Sequence, residues 1–229
     1  MALSRGPKVV TNGLVLALDA ADKNSYPGTG TSWRDISGFN NNVTLTNGPT
    51  FSASNLGSIV FDGTNDYADF YAPNITTIAS VELWSKLGAA YSDKMIMGWL
   101  AYDVWCSGGT LGYNTFNGDV YGISSATVSS LGLVNNWKHY IFEMRSDVSY
   151  TNNKIYINAV SQTLSQQASS EFAGNRGLNG GNGRIAASRN TLDYFMQMNC
   201  AVFKVYNRAL TATEVLQNYN ATKSRFGLI

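Results

Sequence analysis

The chain of 229 residues is 44% hydrophobic and 12% aromatic but only 14% charged, against about 25% charged in an ordinary soluble domain. Sixteen Lys and Arg against fifteen Asp and Glu leave a net charge of +1, which excludes a global field that would draw the protein onto nucleic acid or an anionic membrane. The length fits one large all-β domain or two small ones, and a chain of this size buries about 70% of its unfolded surface, so it needs no metal or disulfide staple.

Residues 1–12 carry basic side chains but no apolar run before Gly13, which predicts no secretory signal. They also lack strand-like alternation, so an N-terminal arm is expected over 1–12, Arg5 to Asn12 above all, that could reach a neighbouring subunit. A single domain then spans 13–229. Leu14 to Leu18 is apolar throughout and reads as a strand buried on both faces, ended by Asp19; it is far shorter than the ~20 residues of a membrane helix. Pro27 and Pro49 sit in turn chemistry, outside any ladder.

Ser58 to Phe61 reads as a strand running into the turn Asp62-Gly63. Asp62, Asn65, Asp66 and Asp69 then fall within one short segment. Oxygen ligands of this kind suit calcium, and they equally suit a hairpin in which Asp62 and Asn65 cap backbone amides. Val81 to Ser85 alternates, with Val81 and Leu83 on one face and Glu82 and Trp84 on the other. Tyr91, Trp99, Tyr102, Trp105, Tyr113, Phe116 and Tyr121 crowd a region rich in Gly, Ser and Asn. Three roles fit them: rings that stack on a sugar, a packed core layer, or a contact for another protein.

Trp137 to Met144, Lys154 to Asn158 and Ala201 to Tyr206 continue the alternation, and strands this regular imply an antiparallel two-sheet sandwich. Gly174 to Gly183 reads as a surface loop between strands; no Lys-Ser/Thr follows it as in a phosphate loop. Near the C-terminus, Thr211-Ala-Thr-Glu214 matches a capping box. Val215, Leu216 and Tyr219 then recur at helical spacing and predict a short amphipathic helix to Asn220.

Groups fit for catalysis are scarce. Cys106 and Cys200 lie in no metal or redox spacing and read as buried small hydrophobes, with a disulfide between them open. His139 is the lone histidine and reads as a strand residue bonded to its neighbours, with no nucleophile motif beside it. The pair most like a glycosidase's is Glu143 and Asp147, but Met144-Arg145-Ser146 lead toward a loop and separate them from a shared strand. A non-enzymatic protein is expected.

Five ordered segments carry a resemblance: Gly13 to Ala21, Ser25 to Trp33, Asp35 to Gly38, Leu45 to Thr50 and Ser58 to Tyr67. Tyr206 to Glu214 and Val215 to Gly227 extend it to the end of the chain. These resemble the concanavalin A-like, laminin-G-like jelly-roll proteins of tailed phages, particularly marine and cyanobacterial ones. About Lys86 to Gly132 is not recognisable in that way. The resemblance implies a two-sheet jelly roll with a closing strand and helix, carried on a virion as a decoration, neck, fibre or other appendage subunit. It also implies docking on other virion proteins, as a homo-oligomer or part of a symmetric assembly. Calcium at Asn65 and Asp66 is a further implication, because some members hold the ion near this segment. The alternative function is a carbohydrate-binding adhesin for host surface polysaccharide, with Trp99 or Trp105 as its stacking residue. Fold alone does not choose between them.

Overall fold

The computed structural model describes residues 7–99, 102–114, 118–169, 178 and 181–229. In chain order the strands are β1 (Leu14–Asp19), β2 (Ser32–Trp33), β3 (Val43–Thr46), β4 (Thr50–Ser52), β5 (Ser58–Asp62) and β6 (Tyr67–Tyr71). Then come β7 (Ile78–Leu87), β8 (Lys94–Gly98), β9 (Asp103–Cys106), β10 (Leu111–Asn114) and β11 (Val120–Ile123). The last six are β12 (Trp137–Arg145), β13 (Lys154–Ile157), β14 (Val160–Ser161), β15 (Ser165–Ala168), β16 (Asn182–Ile185) and β17 (Gln197–Tyr206). Helix α1 (Ser125–Ser130) precedes β12, and α2 (Ala212–Thr222) follows β17. Among the described residues no helix is long and apolar enough to cross a membrane.

The strands form two antiparallel sheets, the sandwich expected. One runs β14-β13-β12-β7-β17-β5-β4 with β1 also on β17, and the other β15-β11-β10-β9-β8-β16-β6-β3-β2. Their inner faces meet in one apolar core. Phe70 of the second sheet lies 5.0 Å from Phe203 of the first, and Tyr113 meets Phe142 edge-on at 6.2 Å. The Tyr113 hydroxyl crosses the core and donates toward the Glu143 and Lys154 carbonyls, so a buried polar tip is satisfied. Cys106 and Cys200 are free and fully buried in this core.

The glycine-rich segment is part ladder and part core. Its end, Asn182 and Gly183, opens β16 rather than a loop, and Leu178 is buried in the main core; residues 174–177, 179 and 180 lie outside the described residues. Gly183 has no substitute, because a Cβ there would strike the Phe70 ring.

The outer face of the first sheet is buried as well. Along β7 and β12 the facing pairs Ser80/Glu143, Glu82/Ile141 and Trp84/His139 lie in register, and Glu82, Trp84 and His139 are all 0% exposed. Their cover is α2, which begins at the predicted capping box of Thr211 and Glu214. The helix departs from expectation in its inward face. Val215 and Asn218 are buried, whereas Leu216 is 48% exposed, because the surface it covers holds a carboxylate and requires an amide there.

That carboxylate is Glu82. Oε1 receives Lys204 Nζ at 3.1 Å and faces His139 Nε2 at 3.2 Å. Oε2 accepts from Asn218 Nδ2 at 2.6 Å and lies 3.2 Å from the Tyr206 hydroxyl. Asn218 Oδ1 in turn accepts the Val10 N–H at 2.7 Å, and Gln217 donates to the Lys8 carbonyl. Of the arm expected over 1–12, the described residues 7–12 therefore run beside α2 of their own chain; residues 1–6, Arg5 included, lie outside the described residues.

Burial alone would raise the Glu82 pKa, but Lys204 and His139 outweigh it and hold the carboxyl down at about 2, below its ordinary 4.5. A depressed folded pKa gives stabilisation that is complete above the unfolded value and is lost as pH falls through the folded one. Stability is thus expected to decline between about pH 4.5 and about 2. Glu82→Ala, which strands Lys204 in the interior, should cost about 3–5 kcal/mol in denaturant unfolding; an unchanged midpoint and acid limb would show that the sheet does not rely on this group.

Candidate functional site

Where the cover over the first sheet stops, a cleft opens. The next facing pair along β7 and β12 is Lys86 and Trp137. One lobe, of about 440 Å³, is lined by Asn55, Lys86, Asn135, Asn136, Trp137, Lys138, Phe226 and Leu228. The other, of about 340 Å³, lies between Lys86, Asn135, Asp62, Gln197 and Asn199, with Val60 and Gly88 among its walls. Lys86 and Asn135 belong to both lobes, so the two form one groove, and each lobe falls within the about 300–1,000 Å³ of ligand pockets.

Each wall has a local cause. Asn135 sits at φ 59°, a left-handed turn that asparagine tolerates, and its N–H donates to the Leu87 carbonyl at 2.8 Å. That bond ties the 133–136 turn to the end of β7. Trp137 is half-buried; its Nε1 donates to Asn55 Oδ1 at 2.9 Å, and its ring meets Phe226 at 4.9 Å. Phe226 also stacks on Trp84 at 4.1 Å. The turn Lys223–Phe226 is pinned by Arg225, which donates to Asp19 Oδ1, the Asn55 carbonyl and the Gly57 carbonyl at 2.6–2.7 Å. The aromatic wall is thereby held before any ligand arrives.

The aromatic residues singled out from sequence are divided. Trp99, Tyr102 and Tyr113 are 0–1% exposed and belong to the main core, so Trp99 cannot offer a ring to a sugar. This corrects the expectation placed on Trp99, and the reason is that Trp99 and Tyr102, between β8 and β9, turn inward, Trp99 meeting Phe70 edge-on at 5.4 Å and the Tyr102 hydroxyl donating to the Arg145 carbonyl. Tyr91, Trp105 and Tyr121 are half-buried, Trp105 meeting Tyr194 edge-on at 5.7 Å; Phe116 lies outside the described residues.

In the Asp62 to Asp69 segment Asp62 caps a backbone amide as expected, and the second cap is Asp66 rather than the expected Asn65. Asp66 Oδ2 accepts the Asp62 N–H at 3.1 Å, and Asp62 Oδ1 accepts the Thr64 N–H at 2.7 Å. The Asn65 carbonyl accepts from Asn47 Nδ2, and Asp69 pairs with Arg184 at 2.7 and 3.2 Å. Burial raises the Asp66 pKa, with the Asp62 N–H working against it. Each of these groups thus has a partner within the protein. Among the described residues no group of three or more His, Cys, Asp or Glu could hold a metal.

Glu143 and Asp147 line neither lobe. Glu143 is buried with Lys154 Nζ 3.8 Å away, and burial raises its pKa. Asp147 is taken up by Arg145 at 3.1 and 2.8 Å. His139 is committed to Glu82, and burial pushes the Cys106 and Cys200 thiols far up, which leaves them unreactive.

Sequence reasoning missed the cleft because Trp137 reads there as a strand residue. The only local signal is the Asn135-Asn136 pair before it, a turn that brings amides beside a ring.

No protein-family model and no curated protein matches the sequence. Solved structures match in fold. The binding domain of Paraclostridial Mosquitocidal Protein 1 aligns with a TM-score of 0.65 at 14% identity, over 92% of this chain and 52% of that one. The botulinum neurotoxin serotype D ligand binding domain in complex with N-acetylneuraminic acid gives 0.63 at 13% identity, over 92% and 51%. The botulinum neurotoxin type G receptor binding domain gives 0.58 at 15%, over 91% and 51%. The chain thus spans about half the length of these structures. At such identities the likeness is one of fold, an all-β two-sheet sandwich shared with toxin binding domains.

Two truncations separate core from cleft. Trp99→Ala should cost about 3–5 kcal/mol through the cavity it leaves, whereas Trp137→Ala, at a half-buried site, should cost less. Denaturant unfolding of both variants checks this, and equal losses would contradict the division.

Proposed function

We propose that this chain is a non-catalytic saccharide-binding domain whose ligand lies in the Lys86–Trp137 cleft, and that it serves on a phage virion as an appendage subunit facing host surface polysaccharide. The observation that carries the binding reading is the lining of the cleft. Trp137 presents an amphipathic ring of the kind that stacks on a pyranose. Around it stand the carboxamides of Asn135, Gln197 and Asn199 and the carboxamide oxygen of Asn136, while Asn55 holds the ring in place. A carboxamide both donates and accepts, as a sugar hydroxyl does, so paired hydrogen bonds form without a net charge.

Two further facts support this reading. The matched folds are named as receptor, ligand or toxin binding domains, and one of those structures holds a sugar acid. The groups that could catalyse are also committed elsewhere: His139 to Glu82 and Asp147 to Arg145. The virion placement rests on the resemblance of the two ends of the chain to phage jelly-roll proteins, with docking on other virion proteins as its corollary.

A glycan array with purified protein tests the binding. Specific signal is expected that Trp137→Ala abolishes and Trp105→Ala leaves in place; the reverse pattern would move the site to the second sheet, and silence on the array would end the saccharide reading. Mass spectrometry of purified particles tests the placement, which fails if the chain is absent from them.

A further inference from the structure

Resting on the saccharide-binding reading, we infer that the ligand is an anionic saccharide, its charge supplied by a uronic carboxylate or a sulfate ester, and that Lys86 and Lys138 are the groups that recognise that charge.

The argument is one of uncompensated charge. Five cations of the first sheet and its covering helix have acidic partners: Lys204 with Glu82, Lys154 with Glu143, Arg145 with Asp147, Arg208 with Glu214 and Arg225 with Asp19; Lys223 instead lies over the Tyr219 ring. Lys86 and Lys138 make no ion pair among the described residues, and both line the same 440 Å³ lobe, which has no acidic residue in its wall. The one carboxylate along the groove, Asp62, stands in the lobe that Lys86 lines and Lys138 does not, and has Oδ1 engaged by the Thr64 N–H.

Strand register explains the placement. Lys86 faces Trp137 across the β7–β12 ladder on the outer face, and Lys138, opposite Ser85, belongs to the other face at the very start of β12, so both line the lobe where the ladder ends. An anion in the lobe that both lysines line meets positive charge that no acidic residue of its wall balances. An ammonium is a compact charge with three rotatable donors and sets no planar demand, so it accepts a carboxylate or a sulfate alike. Neutral polysaccharide would use Trp137 and the amides and leave both ammonium groups in water.

Biolayer interferometry against matched polymers tests this. The probes are polygalacturonate and its carboxyl-reduced form, and chondroitin sulfate and its desulfated form, each at low and at high salt. The expected result is tight binding to at least one anionic polymer, weakened by salt and lost with the reduction or desulfation that removes the charge, which also identifies its source. Lys86→Gln and Lys138→Gln should each weaken that binding by about two- to fivefold, the range of an exposed ion pair, with thermal stability unchanged. Binding to neutral forms as tight as to charged ones, or lysine variants with unaltered affinity and salt dependence, would overturn the inference. If Trp137→Ala still abolished binding in that case, the saccharide-binding reading would survive it. Failure of every polymer, together with a silent array, would remove both.

Discussion

The carboxylate of Glu82 lies at the middle of a strand, with no exposure to water, and an anion in that position survives only where donors surround it on all sides. Those donors come from β12, β17 and α2, and two of them, Tyr206 and Asn218, also bond the backbone of Val10. The single constraint therefore joins three strands, the closing helix and the N-terminal segment. It also explains why a helix placed on a sheet surface turns an asparagine inward and leaves Leu216 in solvent: an apolar face would have stranded the charge.

Covering the sheet at Glu82 decides where it is bare. The helix continues into the turn Lys223–Phe226, whose Phe226 caps Trp84 and reaches Trp137. One residue pair further along the ladder, at Lys86 and Trp137, the cover ends and the cleft begins. The candidate site is thus the edge of the same packing that the buried carboxylate demands. Arg225, bonded to Asp19 and to the backbone at Asn55 and Gly57, fixes that edge to the strand side of the molecule. A wall built this way is rigid, which favours recognition over chemistry that needs moving groups.

The low charge content acquires a structural meaning from these pairs. Several of the few ionic groups are spent on joining elements distant in sequence: Lys204 to Glu82, Arg184 to Asp69, Arg225 to Asp19. A chain with few charges leaves rings and amides as its main contact groups. The cleft has both, and it adds two lysines that the average over the chain conceals, since a net charge near zero says nothing about where the residual charges gather.

While the short strands of the second sheet stayed hidden among Gly, Ser and Asn, sequence by itself determined six strands of the first sheet and their period, the capping box at Thr211 and Glu214, and the hairpin chemistry of Asp62. Each of these depends on neighbours a few residues apart: alternation places side chains on two faces, and a hydroxyl three residues from a carboxylate can close a helix end. Helix α1 escaped because its Ser124 cap has no acidic partner and its residues are small and polar. What only the tertiary structure decided is which faces are covered. Trp99 stands just past the end of β8 and Trp137 at the start of β12, yet one is sealed between the sheets and the other borders the cleft. That difference arises from the pairing of β7 with β12 and from a helix more than 70 residues further along the chain. No local pattern encodes it, because burial on a strand depends on what lies across from the face.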